Sequence, residues 1–280
     1  MGDVTIQVPE FDGQFRINSR SELFSRLVVQ GRYEPEMIQL ALGAIDPDAD
    51  VLDVGANIGF FTVAIGRRLR NGRILAVEPS SNTAERLQQN ISLNGLDNRA
   101  VVFEGAAADA PGSMTLNYVD GQEEYSSLGN LDHPAIAKAK KQSEEVRVDT
   151  IDNLVQQFGL KPRFMKVDVE GFEHAVFKGA RETLREFRPT ILSEMSPNLL
   201  AGNGSSADEV IGLILEAGYT VKDTLYPDLA PGQRPLGDHL STDWLAALLR
   251  RLSPFARRRR FGVVPASIVI DQEPRGRADR

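Results

Sequence analysis

The chain has no cysteine among its 280 residues. This removes disulfides, thiolate metal sites and thiol nucleophiles, and it fits a reducing compartment. Histidine is nearly as scarce, with His133, His174 and His239 the only imidazoles. No apolar run reaches the ~18 residues of a membrane-spanning helix. The opening Met-Gly-Asp-Val-Thr-Ile has neither the basic nor the apolar stretch of an export signal. Ile6 stands where a myristoylation signal carries Ser or Thr. These absences lead us to expect a cytoplasmic protein. Positive charge is also in deficit: a net charge of -7 argues against a dedicated nucleic-acid partner. One local reversal exists, at Arg250, Arg251 and Arg257 to Arg260, and without these six the rest carries about -13.

The hydrophobic residues, 41% of the chain, suffice for one substantial core with appendages. They centre on Val-Leu-Asp-Val-Gly-Ala-Asn-Ile-Gly-Phe-Phe-Thr at 51–62. Residues 51–54 read as a buried strand, 55–59 as a tight turn, and Phe60 onward as a helix whose free first-turn N–H groups face that turn. Such a turn forms a nucleotide-type pocket outside the carboxyl end of a parallel strand, where backbone meets a ligand only if no Cβ intervenes. A dinucleotide fingerprint needs glycine at the first, third and sixth positions, here Gly55, Asn57 and Phe60. Two of the three fail, which disfavours an NAD-type oxidoreductase. The spacing of Asp53, Gly55 and Gly59 instead resembles the first motif of class I S-adenosylmethionine (SAM) methyltransferases.

Elsewhere strands and helices alternate, the pattern of a mostly parallel sheet covered on both faces. Short alternating pieces at 4–8 and 15–17 and a helix from Ser21 make residues 1–33 an N-terminal cap. Met37, Ile38, Ala41, Leu42 and Ile45 recur at helical spacing after Pro35. Strands are expected at 74–78, 101–104, 114–119, 164–168, 190–194, 219–221 and 266–271. Asn82-Thr-Ala-Glu85 reads as a capping box opening a helix that stops at Asn94-Gly95. Residues 120–143 are polar and aperiodic and are expected to loop over the site. Ile151, Leu154, Val155 and Phe158 mark a helix stopped by Gly159, and 210–217 another. The main domain is therefore 34–280, with an insertion at about 224–262 before the last strand.

Acids recur at or near the carboxyl ends of the strands: Asp53, Glu78, Asp109, Asp168 and Glu194. A parallel sheet puts these ends on one edge, lining one crevice. Glu78 lies close to the spacing after Gly55 at which an acid grips ribose hydroxyls.

Arg32-Tyr33-Glu34, the glycine run at 51–59, Val77-Glu-Pro79 and above all Met-Lys-Val-Asp-Val-Glu-Gly-Phe-Glu at 165–173 resemble the FkbM family of SAM-dependent methyltransferases. The resemblance covers about residues 30–223 and the last strand. It implies an α/β, Rossmann-like class I methyltransferase fold with a seven-stranded sheet, six strands parallel and the last antiparallel. It further implies an O-methyltransferase acting on sugar or polyketide hydroxyls with SAM as cofactor. The expected acceptor is a sugar of a glycolipid, polysaccharide or glycosylated natural product. The cap and the arginine region lie outside the pattern.

Asp53, Gly55, Asn57, Gly59, Glu78 and Asp109 are the candidates for binding SAM. An activated methyl leaves the protein to align an acceptor oxygen and deal with one proton. Asp168 stands where the strand geometry places a base, with Glu170 and His174 beside it as further catalytic candidates. Glu173 and Lys178 read as helix-surface charges, and His133 and His239 as loop residues. A cluster of Asp168, Glu170 and Glu194 would suit Mg2+, but carboxylates at strand ends also occur without metals, and no metal is assigned. Base-amino methylation generally uses an Asn/Asp-Pro-Pro-aromatic turn where this chain has Asp168-Val-Glu-Gly, and cytosine-C5 chemistry needs a cysteine. A nucleic-acid or other small-molecule methyltransferase and a non-catalytic SAM-fold module remain the alternatives.

In the insertion, Trp244, Leu245, Leu248, Leu249 and Leu252 share one helical face just before the arginine run. Two readings stay open: packing on the sheet, or a peripheral contact of residues 244–260 with an anionic membrane beside a lipid-linked acceptor.

Overall fold

A computed structural model describes residues 2–119, 122–128, 140–223 and 266–272. His133, His239, the insertion at 224–262 and the Trp244 to Arg260 segment lie outside the described residues. Among the described residues no helix is long and apolar enough to cross a membrane.

The chain begins with an antiparallel hairpin of β1 (Asp3–Val8) and β2 (Gly13–Asn18). Helix α1 (Glu22–Gln30) follows, capped by the Ser21 hydroxyl, which accepts the Phe24 N–H, and ended by Gly31 in the left-handed region. Helix α2 (Pro35–Ala44) precedes β3 (Asp50–Val54), the glycine turn, and α3 (Phe60–Gly66). Every residue of α3 is buried, because the hairpin and neighbouring helices enclose it. Next come β4 (Ile74–Glu78), α4 (Ser81–Leu93), β5 (Ala100–Glu104) and the short β6 (Ala106–Ala107). Strands β7 (Gly112–Val119), β8 (Gln122–Ser127) and β9 (Lys141–Asp149) form a side sheet with β6. The remainder is α5 (Ile151–Phe158), β10 (Pro162–Val167), α6 (Glu173–Lys178), α7 (Arg181–Glu186), β11 (Thr190–Met195), α8 (Pro197–Gly202), α9 (Ala207–Glu216), β12 (Tyr219–Asp223) and β13 (Ala266–Gln272).

The main sheet has the order β12-β13-β11-β10-β3-β4-β5. Its strands run parallel except β13, which is antiparallel to both neighbours. This is the class I methyltransferase topology expected from the sequence. Strand order reverses between β3 and β10, and such a switch point opens a crevice at the carboxyl edge. Side chains alternate between two cores. Leu52, Val54, Leu75, Val77, Met165, Val167 and Ile191 face one, and Val51, Ile74, Ala76, Phe164 and Leu192 face the other. Two residues further along the second face the apolar positions give way to Asp53, Glu78, Lys166 and Glu194. One face of the sheet thus turns polar as it reaches the crevice.

Two expectations need correction. Residues 120–143 are not simply a loop: 122–127 form β8, and β9 starts at Lys141, pairing with β7 from Val119↔Lys141 to Gly112↔Val148. Most of β9 faces solvent, with only Val146 and Val148 buried, so its composition carries no apolar period. Helix α4 starts at Ser81 without a side-chain cap from its own N-cap residue Ser80. Glu144 of β9 does that work instead, accepting from the Ser81 N–H at 3.2 Å and its hydroxyl at 2.7 Å. A capping group more than sixty residues away cannot be read from local spacing.

The cap shares the second core through Val8, Phe15, Ile17, Leu23 and Leu27. Its polar anchor is the buried Asn90 of α4. The Asn90 Oδ1 accepts the Arg16 N–H at 2.7 Å, and its Nδ2 donates to Ile58 O at 2.8 Å and Arg16 O at 3.2 Å. One side chain therefore joins hairpin, glycine turn and α4. Asn90→Ala strands these backbone groups and should destabilise the fold by about 2–3 kcal/mol in urea unfolding. A loss below ~0.5 kcal/mol would show that the hairpin is only laid against the domain.

Candidate active site

The crevice holds a cavity that opens to solvent. Its floor is the glycine turn and the end of β10, its far wall Glu78 and Pro79, and its side-sheet wall Leu116 and residues 126–128. Tyr33 and Glu34 close the side next to α2.

At the centre is Lys166, which sequence reasoning quoted within a motif but gave no role. It is buried on β10, cross-strand from Asp53 in register. Its ammonium donates to Gly55 O at 2.8 Å and lies 3.1 Å from Asp168 Oδ2 and 3.7 Å from Asp53 Oδ1. Burial alone would lower its pKa, but the carboxyl groups of Asp168 and then Asp53 reverse this and hold it above the ordinary lysine value. Lys166 is therefore a fixed cation. The available signal was its position two residues before Asp168, which puts both on one face of a strand.

The candidate cofactor residues divide. Gly55, Asn57 and Glu78 line the cavity. Glu78 is buried; one of its oxygens accepts the Asn57 N–H at 2.9 Å and the other the Ser80 N–H at 3.0 Å. A carboxylate offers about four acceptor directions, so about two remain. Burial pushes its carboxyl up to about 7, against those two backbone bonds. Asn57 has φ 50, and its own Oδ1 accepts the Ile58 N–H at 2.7 Å. Gly55, at φ +80, is glycine for a reason other than ligand clearance: a Cβ would lie 1.8 Å from the carbonyl oxygen of Asp168. Asp53 sits below the floor, fully buried, accepting from the Thr62 hydroxyl. Gly59 is the left-handed N-cap of α3. Asp109 does not line the cavity; it is ion-paired at the surface with Lys178 at 2.8 Å, which holds its carboxyl below the ordinary value.

The catalytic candidates divide as well. Asp168 and Glu170 line the cavity and His174 does not; it is partly buried on α6 near Asp109. Glu173, expected as a surface charge, is 1% exposed, while Lys178 is exposed as expected. Tyr33 and Glu34 of the resemblance motif acquire a place. The Tyr33 ring stacks on Phe60 at 4.5 Å, its hydroxyl bonds the Glu34 carboxyl, and Glu34 is held at φ 39. Glu170 keeps access to solvent, yet thinned hydration and then the charges of Asp168 and Glu173 push its carboxyl up to about 8. Glu194, more enclosed, is pushed up to about 9 by burial and then by Asp168 and Glu34. Near neutral pH these two carry protons, whereas Lys166 stays charged. Among the described residues no three acidic or histidine side chains are arranged to hold a metal ion.

A buried lysine paired with the strand-end aspartate, beside the glycine turn, matches the residues on which the family resemblance rested. The profile of the methyltransferase FkbM domain matches residues 53–221. The chain belongs to the FkbM methyltransferase family. It is 31% identical over 148 residues to Methyltransferase 1 of Beauveria bassiana, a match spanning 47% of this chain and 58% of that protein. It is 23% identical over 184 residues to the hexuronic acid methyltransferase AglP of Haloferax volcanii, spanning 64% of this chain and 69% of that protein. A crystal structure of methyltransferase FkbM from Methylobacillus flagellatus KT aligns with a TM-score of 0.43 and 17% identity, over 65% of this chain and 41% of that one. The chain spans less than two thirds of the length of most of the curated relatives it matches, 58% of Methyltransferase 1 among them.

The raised carboxyls set a pH dependence. Glu194 binds its proton more tightly folded, at about 9, than at the ordinary 4.5 of an unfolded glutamate. Its stabilising contribution is therefore complete below about 4.5 and is lost as pH rises through 9. Thermal midpoints should fall from pH 6 to pH 9, and Glu194→Gln should fall less steeply above pH 7. Equal slopes for both proteins would contradict the buried, protonated state of Glu194.

Proposed function

We propose that the enzyme transfers a methyl group from SAM to a hydroxyl of a sugar, in a glycolipid, polysaccharide or glycosylated natural product. The observation that carries this reading is the juxtaposition, in one cavity, of Glu78 with spare acceptor capacity and the Lys166–Asp168 pair. The similarity to a hexuronic acid methyltransferase supports a sugar as acceptor.

The residues present suit this cofactor. Glu78 has two acceptor directions left for the two hydroxyls of a ribose. Asn57 and Phe60 stand where a pyrophosphate would need bare backbone, so a nucleoside without phosphates is favoured. Val77, Ala106 and Ala107 supply an apolar surface for an adenine. Bound there, SAM supplies an activated methyl on a sulfonium, which passes to the acceptor oxygen as the S–CH3 bond breaks.

The chain supplies the rest. Asp168 accepts the hydroxyl proton as the oxygen becomes bonded to carbon. Lys166, whose charge is permanent, offsets the negative charge developing on that oxygen. It does so without reorganisation, being already held by Gly55 O and Asp53. Protonated Glu170 on the cavity wall both donates and accepts hydrogen bonds, as sugar hydroxyls require. The side-sheet wall at Leu116 and Ser126 restricts water.

The roles separate kinetically. With deuteriomethyl SAM and a panel of neutral and uronic methyl glycosides, mass spectrometry should detect a labelled methyl ether. Asp168→Asn should lower kcat by about 10²- to 10⁴-fold with SAM affinity unchanged. Glu78→Ala should weaken SAM binding by roughly ten- to a hundred-fold while sparing kcat at saturation. Near wild-type turnover in Asp168→Asn, or unaltered SAM affinity in Glu78→Ala, would remove the corresponding role, and a panel left wholly unlabelled would remove the sugar.

A further inference from the structure

Asp168 heads a turn between β10 and α6 whose backbone is tightly constrained. Gly171 has φ 94, and Glu170 has φ 52, a left-handed conformation that a residue with a side chain keeps only where the surroundings impose it. On one side the turn is packed against α8. A Cβ at Gly171 would lie 2.6 Å from the Leu199 backbone, and Asn203 Nδ2 donates to Glu170 O at 3.4 Å.

On the other side stands Glu173. Its Oε1 accepts the Gly171 N–H at 3.1 Å and the Val169 N–H at 3.4 Å. Its Oε2 is buried and has no hydrogen-bond partner. A carboxyl group almost wholly removed from water, with half its acceptor capacity idle, weakens the fold relative to an apolar residue of similar size. What it organises is the turn from which Asp168, Val169 and Glu170 line the cavity.

We propose that Glu173 is a positioning residue for methyl transfer: its carboxyl group gathers the amides of Val169 and Gly171 and thereby aims the Asp168 carboxylate at the acceptor hydroxyl. This rests on the reading of Asp168 as proton acceptor. Glu173 touches neither acceptor nor donor. Misplacing a reacting group by about 1 Å lowers rates by about 10²-fold, which sets the scale of the effect.

The test is a double-mutant cycle on the methyl glycoside turned over fastest in the panel, with SAM affinity followed by calorimetry. Glu173→Ala should lower kcat by about 30-fold or more while SAM affinity changes less than about threefold. Glu173→Gln keeps an acceptor oxygen for both amides and should restore kcat to within about fivefold of wild type. In the Asp168→Asn background Glu173→Ala should cost less than about threefold further, because no carboxylate is left to aim. If the alanine variant does not fold, Glu173→Asp, which withdraws the oxygen by one methylene, takes its place with the same expectation. Hydrogen exchange without any acceptor gives a second readout: the Val169 and Gly171 amides should exchange faster in Glu173→Ala and stay protected in Glu173→Gln. Wild-type kcat in Glu173→Ala, an additive loss on Asp168→Asn, or SAM affinity falling in step with kcat would overturn the proposal. Full turnover in Asp168→Asn alone would instead retire the role given to Asp168, and with it the group Glu173 positions.

Discussion

The buried ammonium of Lys166 is the constraint on which the site depends. Taking such an ion out of water costs several kcal/mol unless partners surround it closely. Here the partners come from two neighbouring strands and the turns just past them: Asp53 on β3 with Gly55 O beyond its end, and Asp168 just beyond β10. Satisfying one cation therefore draws those ends together at the point where strand order reverses. The closeness is visible in Gly55, whose missing side chain is what allows the Asp168 carbonyl to lie against it. The glycine of the first motif thus serves contact between two parts of the protein, and the turn facing the cavity follows from that contact.

The surrounding carboxyls differ in how they meet this cation. Asp168 is in direct contact with it, and Asp53 lies 3.7 Å away with burial raising its pKa. Glu170, Glu194 and Glu34 stand further out, where burial and the charge of Asp168 favour their protonated forms. A cleft crowded with acids thereby becomes a graded one, with a charge pair at its base and neutral hydrogen-bonding groups around it. That gradation is what the proposed chemistry uses: a charged pair for one proton and one developing charge, and neutral groups for a hydroxylated acceptor.

Much of this was legible from spacing alone. Strands β3, β4, β10 and β11 announced themselves as apolar runs, and the acids at their ends pointed to one edge. Glu78 and Asp168 could be placed because a parallel sheet fixes where strand ends go. What escaped was whatever depends on contacts distant in sequence. The α4 cap is supplied by Glu144 of β9, so the local capping box misled by a residue or two. Strand β9 buries too little of its surface to show a period. Glu173 looks like any charged residue at the start of a helix, because its burial is imposed by the turn folded over it. Lys166 was readable in part, since a lysine inside an apolar strand two residues from an acid shares its face. The contrary evidence at Asp109 and His174 has the same origin: sequence proximity to the strand ends did not bring them into the cavity.

The most direct test of the account is a crystal structure with S-adenosylhomocysteine. The account predicts both ribose hydroxyls within hydrogen-bond distance of Glu78, the sulfur directed toward the space beside Asp168 and Lys166, and the Lys166 ammonium still bonded to Gly55 O. A nucleoside bound away from Glu78, or a sulfur directed away from Asp168, would contradict it.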